Sequence, residues 1–402
     1  MKIAIATAVY YPQINGVAVF AHNLAVGLAR HGNEVLVICP SRTGRSHSVM
    51  QDGVKVCYLK SLDAKIYPDQ IHPVPEKKKL FYKNGFRVSV FPKREVKRIL
   101  DDFQPDVVHV QVADPVGLSV VGWARKSGIP VVTTEHNQPD VITNQLKLGI
   151  FKKPANALMR AYLIKRHGKS DFVTMPTEKA IDDLIWSRGK EFKVPLAAVS
   201  NGVDLSHFGP GKADDEVYKK YGLDSKVLTV LYVGRVDPEK TVGLVVEAFA
   251  EMAKEMENVQ LVVVGDGTDK ARLQKKYASD ARIHFLGKIT PPELYDIYKL
   301  GDVFATASKI ETQGIVLIEA AASGLPLVAV DAGAVGEVCV DGENGLLCEP
   351  GNKAELSQAL RTILTDDGLR ERFAKKSVQI AKEHDFERTL DKFMNIYTKL
   401  LS

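Results

Sequence analysis

Two carboxylates with seven residues between them stand in ASKIETQGIVLIEAAASG, Glu311 and Glu319, with Gly314 between them opening an apolar helical run. A carboxylate just before a helix and another about a turn inside it can face one ligand. At 1.5 Å of rise per residue, Glu319 lies about 7–8 Å along the axis from Gly314. The first N–H groups of a helix have no intrahelical partner and can hold a phosphate between the two acids. Carboxylates accept hydrogen bonds well from sugar hydroxyls. The arrangement suits a sugar, a phosphate and a second sugar in a row, as in a nucleotide-sugar. Taken alone, the same spacing equally fits two solvated helix glutamates.

Distant residues favour the first reading. GRVDPEKT places Arg235 and Lys240 five residues apart, directly after a strong strand. Two cations at a strand end suit a leaving diphosphate, on which negative charge builds as a glycosidic bond breaks. His136 follows the strand PVVTTE, where a histidine can bond a sugar hydroxyl or place its carbonyl near the reaction centre. His109, inside VVHVQ, reads as a packed core histidine. The first strand runs into YYPQINGVAVFAHNL, where Gly16 and Val17 precede a helix. A glycine turn there lets backbone approach a diphosphate, although an ordinary strand–helix turn fits the segment as well.

These residues need a frame that brings strand ends together. Early strands are expected at 2–8, 34–40, 106–111, 130–135 and 171–177, with helices near 17–31, 93–103, 116–127, 154–168 and 178–189. The pattern then restarts, with strands at 226–234, 259–265, 282–287, 302–308 and 326–331, and helices near 240–255, 268–278 and 314–323. Near-continuous Val/Ile/Leu strands between helices imply parallel sheets covered on both faces. Two such series in 402 residues imply two doubly wound α/β domains, divided near 200–225 in SNGVDLSHFGPGKADDE. Ligands in this architecture bind beyond the carboxyl ends of the strands. A dinucleotide oxidoreductase ranks low, because neither AVYYPQINGVAVF nor GDGTDKARL contains the G-x-G-x-x-G fingerprint.

Composition excludes other classes. Hydrophobic residues make up 45% and charged residues 26%, as in globular chains. No run reaches the length of a membrane-spanning helix, and the N-terminus reads as a strand rather than a signal peptide. Cys39, Cys57, Cys339 and Cys348 show no metal-ligand pairing and suggest buried, reduced thiols in a cytoplasmic protein. Residues 1–200 hold 29 Lys and Arg against 17 Asp and Glu, a surplus of 12. The remainder holds 25 against 32. A basic half calls for an anionic partner, or merely carries an uneven solvated surface. Residues 74–98 mix cations with Phe81, Tyr82, Phe86 and Phe91. Residues 151–169 place Leu158, Met159, Tyr162 and Leu163 on one helical face, ringed by Lys152, Lys153, Lys165, Arg166 and Lys169. Such a helix suits an anionic bilayer surface or a core-facing position with a wet basic side. No nucleic-acid module accompanies the charge.

Taken in order, NGVAVFAHNLAVGLARHGNEVLVICP, TTEHN, SNGVD, GRVDPEK, VVVGDG and ETQGIVLIEAAASG resemble the retaining glycosyltransferases of family 4, which have the two-domain GT-B fold. The resemblance covers nearly the whole chain. It implies His136, Arg235, Lys240 and Glu311 as catalytic residues, with Arg235 and Lys240 on the diphosphate and Glu311 on the donor sugar. It implies a donor surface of Gly16, Val17, Gly234, Lys288, Ile289, Thr312, Gln313, Gly314, Ile315, Val316 and Glu319, with Glu319 on the ribose. It implies a last helix, in DFERTLDKFMNIYTKLL, that crosses back to the first domain, giving domains of 1–200 plus about 386–402, and 201–385. ETQG, with Thr312 and Gln313, is similar to monoglucosyldiacylglycerol synthases and related glycolipid enzymes. The expected protein is a cytoplasmic enzyme, peripheral on the inner membrane face, with no cofactor and no essential metal. Its expected partners are a nucleotide-sugar donor, UDP-glucose first, and a lipid or sugar acceptor. A retaining glycosidase would need two acids about 5 Å apart with one as nucleophile, and no clear nucleophile stands out. A nucleotide-sugar epimerase or hydrolase, and a sugar-binding protein without catalysis, remain as alternatives. An epimerase needs no acceptor, and a binding protein would keep its activity without Glu311.

Overall fold

The structure, a computed structural model, describes residues 1–11, 13, 15–63, 87–111, 114–136, 152–185 and 192–402. It divides into two compact units, Met1–Ser200 with Thr389–Ser402, and Asn201–Arg388.

The first unit is built on an eight-stranded sheet. Its strands are β1 (Lys2–Ala6), β2 (Glu34–Pro40), β3 (His47–Gln51), β4 (Val54–Leu59), β5 (Val107–Val110), β6 (Val131–Thr134), β7 (Phe172–Met175) and β8 (Leu196–Ala198). Their spatial order is β8-β7-β6-β5-β1-β2-β4-β3. All neighbours are parallel except β3 and β4, an antiparallel pair at one edge. The expectation of purely parallel strands is therefore corrected at that edge. HSVMQ escaped the apolar pattern because an edge strand is exposed and needs no Val/Ile/Leu run. Alternate residues Ala4, Ala6, Leu36, Ile38, Val108 and Val110 face helices α2 (Lys93–Phe103) and α3 (Pro115–Ser127) through Val96, Leu100, Val116 and Val120.

The second unit holds a six-stranded, wholly parallel sheet: β9 (Leu228–Val233), β10 (Val259–Val264), β11 (Ile283–Gly287), β12 (Val303–Ala305), β13 (Leu327–Val330) and β14 (Gly345–Cys348). The spatial order is β11-β10-β9-β12-β13-β14. Successive residues of β9 go to opposite cores: Val230 and Tyr232 to one face, Leu231 and Val233 to the other. The sheet is buried on both sides, which is why the strands read as continuous apolar runs. The strand order reverses between β9 and β12, and the carboxyl edge at such a switch point is where doubly wound sheets bind ligands.

The last helix, Phe386–Leu401, carries Leu390, Phe393 and Tyr397 into the first unit's core. Phe386 N–H is bonded to Val203 O at 3.0 Å, which keeps the helix's first residues with the second unit. The four cysteines are free and buried. Among the described residues no helix is long and apolar enough to cross a membrane.

Candidate active site

The switch point of the second unit holds an ion pair. Lys240 ends the short turn Pro238–Lys240 after β9, and Glu311 follows β12. Lys240 Nζ donates to Glu311 Oε1 at 2.7 Å and reaches Ile310 O at 3.4 Å. The side chains keep 20% and 14% of their exposure, so the pair is largely screened from water. The two residues are 71 positions apart, and only the parallel pairing of β9 with β12 brings them together. Arg235 lies at the same strand end but faces other acids. Its guanidinium bonds Asp237 Oδ2 at 2.6 Å and Glu239 Oε1.

Glycines set the backbone here. Gly234 has φ +154 and Gly265 has φ +139. A Cβ on Gly265 would stand 1.7 Å from Gly234 O, and one on Gly267 would stand 2.4 Å from Val236. The GDG motif is thus a close approach of the loop after β10 onto the loop after β9. Asp237 Oδ1 completes it by accepting from Thr268 N–H at 2.9 Å. Gly265→Ala is expected to lower thermal stability, because overpacking costs about 1–3 kcal/mol and the φ of +139 adds strain. Calorimetric unfolding checks this; an unchanged Tm would contradict the tight approach.

Gly314 caps helix α4 (Ile315–Ala322) in a left-handed conformation with φ +74. A Cβ there would press on the Leu317 side chain at 2.9 Å. Ile315 and Val316 are the first helical residues and are half-buried against the second core. The Glu311 backbone is clasped from outside: Ala334 N–H donates to Glu311 O at 3.0 Å, and a Cβ on Gly333 would sit 2.6 Å from that oxygen. Glu319 takes a bond from the buried Tyr298 hydroxyl at 2.5 Å. Burial pushes its carboxyl up to about 7, against the pull of the Tyr298 bond. Gln313 turns inward, 2% exposed, and accepts from Asn201 N–H at 3.0 Å, tying ETQG to SNGVD. Thr312 is half-buried beside it. Lys288 is exposed and Ile289 half-buried beyond the end of β11. Tyr298, Gly265 and Gly333 were not among the expected site residues. The Gly residues carried a turn signal after apolar strands, whereas Tyr298 carried none.

In the first unit, helix α1 (Gly16–Arg30) starts one residue earlier than its pattern, so Gly16 and Val17 lie in its first turn rather than before it. Asn15 is the cap, its side chain accepting from Ala18 N–H at 2.9 Å. Gly16 is not in the left-handed region, and a Cβ on it would meet nothing within 4 Å. Glycine is therefore not required there by backbone shape. His136 is 8% exposed, lies edge-on to Phe20 at 5.0 Å between centroids, and its Nε2 is 2.8 Å from the Gln111 side chain. Burial lowers its pKa to about 4, although Glu135 pulls upward, and the ring is neutral near pH 7. His109 is buried as expected, yet it is not an inert core group: both ring nitrogens have polar partners. Among the described residues no group of three or more His, Cys, Asp or Glu side chains is arranged to hold a metal.

Residues 14–207 match the family described as Glycosyltransferase Family 4, and residues 214–379 the family described as Glycosyl transferases group 1. The chain is 29% identical over 357 residues to an alpha-monoglucosyldiacylglycerol synthase of Acholeplasma laidlawii, covering 86% of this chain and 84% of that one. It is 30% identical over 358 residues to a GDP-mannose-dependent alpha-mannosyltransferase of Mycobacterium tuberculosis, covering 87% and 84%. Its fold matches that of a sucrose-phosphate synthase from Thermosynechococcus elongatus with a TM-score of 0.73, at 18% identity, over 100% and 99% of the two chains. From the two matched families and the 30% relative, the chain belongs to the family 4 glycosyltransferases, and it is a glycosyltransferase of the GT-B fold.

Proposed function

We propose that the protein moves a hexose, glucose first, from a nucleoside diphosphate sugar to a lipid hydroxyl, with retention at the anomeric carbon. The observation that carries this is the Lys240–Glu311 pair at the switch point, beside the N-terminus of α4 and a turn from Glu319. Lys240 and Arg235 stabilise the departing diphosphate, the α4 N–H groups hold phosphate oxygens, Glu311 bonds the sugar and Glu319 the ribose. The His136 ring, beyond the carboxyl end of β6, can bond a sugar hydroxyl. The bond from C1 to the diphosphate oxygen breaks, and a bond from C1 to the acceptor oxygen forms on the same face. The acceptor proton passes to the departing phosphate. The protein supplies positioning and electrostatics, with cationic side chains in the place of a metal.

Two observations favour diacylglycerol or a related membrane lipid as acceptor. One is the Acholeplasma relative, whose name makes it a synthase of alpha-monoglucosyldiacylglycerol. The other is the basic helix Lys152–His167. Its expected apolar face divides: Leu163 is buried and Met159 packs beside it, while Leu158 and Tyr162 are 74% and 42% exposed. The division follows from packing, since Leu163 joins Met175, Ile181 and Leu184 in a satellite core. Lys153, Lys165 and Lys169 are exposed in the same segment, while Arg166 lies over the Tyr162 ring at 4.8 Å. Phe91 adds a further apolar side chain, 93% exposed. Of the other basic stretch, residues 74–86, with Phe81, Tyr82 and Phe86, lie outside the described residues.

The test is a panel of nucleoside diphosphate sugars with diacylglycerol or a free sugar as acceptor, run with and without EDTA and read by mass and anomeric proton NMR. A lipid α-glycoside formed in EDTA supports the proposal. Transfer to the free sugar alone would overturn the lipid reading, and sugar conversion without acceptor would favour an epimerase. Vesicle binding gives a second check. Replacing Lys153, Lys165 and Lys169 with Gln is expected to weaken binding to anionic vesicles by about 10²-fold, at about 1 kcal/mol per cation. Binding of the free diphosphate should not change. A wild-type protein indifferent to anionic vesicles at low salt would remove the membrane from the account.

A further inference from the structure

The first unit contains a line of buried polar groups that the proposed transfer leaves unused. Tyr397 Oη lies 2.6 Å from His109 Nδ1. His109 Nε2 lies 2.7 Å from Thr134 Oγ1 and 3.2 Å from Gln111 Nε2. Gln111 Oε1 is 2.8 Å from His136 Nε2. Tyr397, His109, Gln111 and Thr134 are all fully buried. Among the described residues, His109 Nδ1 is the one hydrogen-bond partner of the Tyr397 hydroxyl. Burial keeps both rings neutral, with His109 lowered to about 3 and His136 to about 4. Each ring therefore carries one N–H and one bare nitrogen, and the choice made by one dictates the next.

The direction is decided at Tyr397. A phenol is a stronger donor than an aliphatic alcohol. The 2.6 Å separation suits an O–H donor and falls below the roughly 2.7–3.2 Å of N–H···O bonds. A buried hydroxyl that did not donate here would strand its proton. Tyr397 thus donates to Nδ1, and the proton of His109 sits on Nε2, shared between Thr134 Oγ1 and Gln111. The two ends of an amide have the same shape, and their hydrogen-bond partners decide between them. Gln111 stands with its Nε2 toward His109 and its Oε1 toward His136; a protonated His109 Nε2 calls for the amide turned over, with its oxygen to His109 and its NH2 to His136. His136 Nε2 then accepts, and its own proton is on Nδ1.

We infer that Tyr397, acting through His109 and Gln111, fixes His136 as the Nδ1–H tautomer, so that His136 offers a ligand oxygen a donor rather than a base. Tyr397, His109 and Gln111 are positioning residues. The consequence for sugar transfer rests on His136 being part of the transfer site; the tautomer itself does not. A donor suits a sugar hydroxyl or a departing oxygen, and it excludes His136 as the group that removes the acceptor proton. The last helix, through a hydroxyl 288 residues away from His109, thereby sets a chemical property of the first unit's histidine.

The experiment uses the full chain labelled with ¹⁵N-histidine. Two-bond proton–nitrogen correlations show which nitrogen of each ring is protonated, and His136→Asn identifies the His136 signals by their loss. The expected result is a protonated Nδ1 in His136 and a protonated Nε2 in His109. Protonation of His136 at Nε2 overturns the proposal. In Tyr397→Phe, the His136 shifts should move toward the average of the two tautomers. The turnover of that variant should fall about tenfold, the scale of losing an outer hydrogen-bond partner, with the donor KM little changed. Phe393→Leu, whose ring centroid is 5.1 Å from that of His109 on the same helix, disturbs packing but keeps the hydroxyl. It should leave the tautomer intact. A shift in Phe393→Leu as large as in Tyr397→Phe, or none in Tyr397→Phe, also overturns the proposal. The tautomer is read without substrate, so an inactive wild type would count against the proposed transfer alone.

Discussion

Lys240→Ala is expected to lower kcat by about 10²–10³, the effect of removing one preorganised donor, roughly 3–4 kcal/mol, from developing charge. The structure adds a second effect. Lys240 is the partner of Glu311, and both are largely buried. Breaking a buried pair costs about 3–5 kcal/mol when one charge is left alone. The cost is smaller here, because both groups keep some contact with water. Lys240→Ala should therefore be slow and also less stable. Combining Lys240→Met with Glu311→Gln removes both charges and should recover much of the Tm without recovering the rate. Recovery of both would make the loss structural and take Lys240 out of the chemistry. Arg235→Ala should act in the same direction with a smaller effect. Its guanidinium is shared with Asp237 and Glu239, and it is 38% exposed.

Glu319→Ala is expected to weaken binding of the free nucleoside diphosphate by about 10–100-fold, the effect of losing hydrogen bonds to a charged acceptor, roughly 1.5–3 kcal/mol. Glu311→Ala should spare that binding and impair transfer. Calorimetric titration separates them, and equal losses in both variants would contradict the assignment. The Glu319 carboxyl, pushed up to about 7 by burial, adds a pH signature. Ribose hydroxyls bond better to the ionised form, so affinity should rise as pH climbs through about 7. Glu319→Gln should lose that rise, while the ligand's own ionisation stays the same in both proteins. Stability moves the other way. The folded protein holds the Glu319 proton more tightly than the unfolded chain. The contribution of this group is therefore most favourable below the ordinary carboxylate range, falls as pH rises from there to about 7, and is level above it. Melting curves of wild type and Glu319→Gln across that window check the sign.

Local chemistry in the sequence was enough to mark most of the strands along the chain. Apolar runs such as VQLVVV (259–264) mark strands buried on both faces, because a parallel sheet covered by helices needs side chains of that kind throughout. Gly314 before IVLIEAAA marks a helix start, because a left-handed cap favours glycine. The exposed edge strand His47–Gln51 left no such mark. Pairing of residues far apart was not legible, because it depends on strand order rather than on neighbours. Lys240 was legible as a cation beside Arg235 at a strand end; its pairing with Glu311 follows from the reversal of order between β9 and β12, which no local pattern shows. His136 had only its strand-end position to distinguish it. What its ring can do depends on Gln111, on His109 and on Tyr397 from the far end of the chain. A buried hydrogen bond is chosen by the packing that brings its partners into one core, and no local pattern encodes that choice.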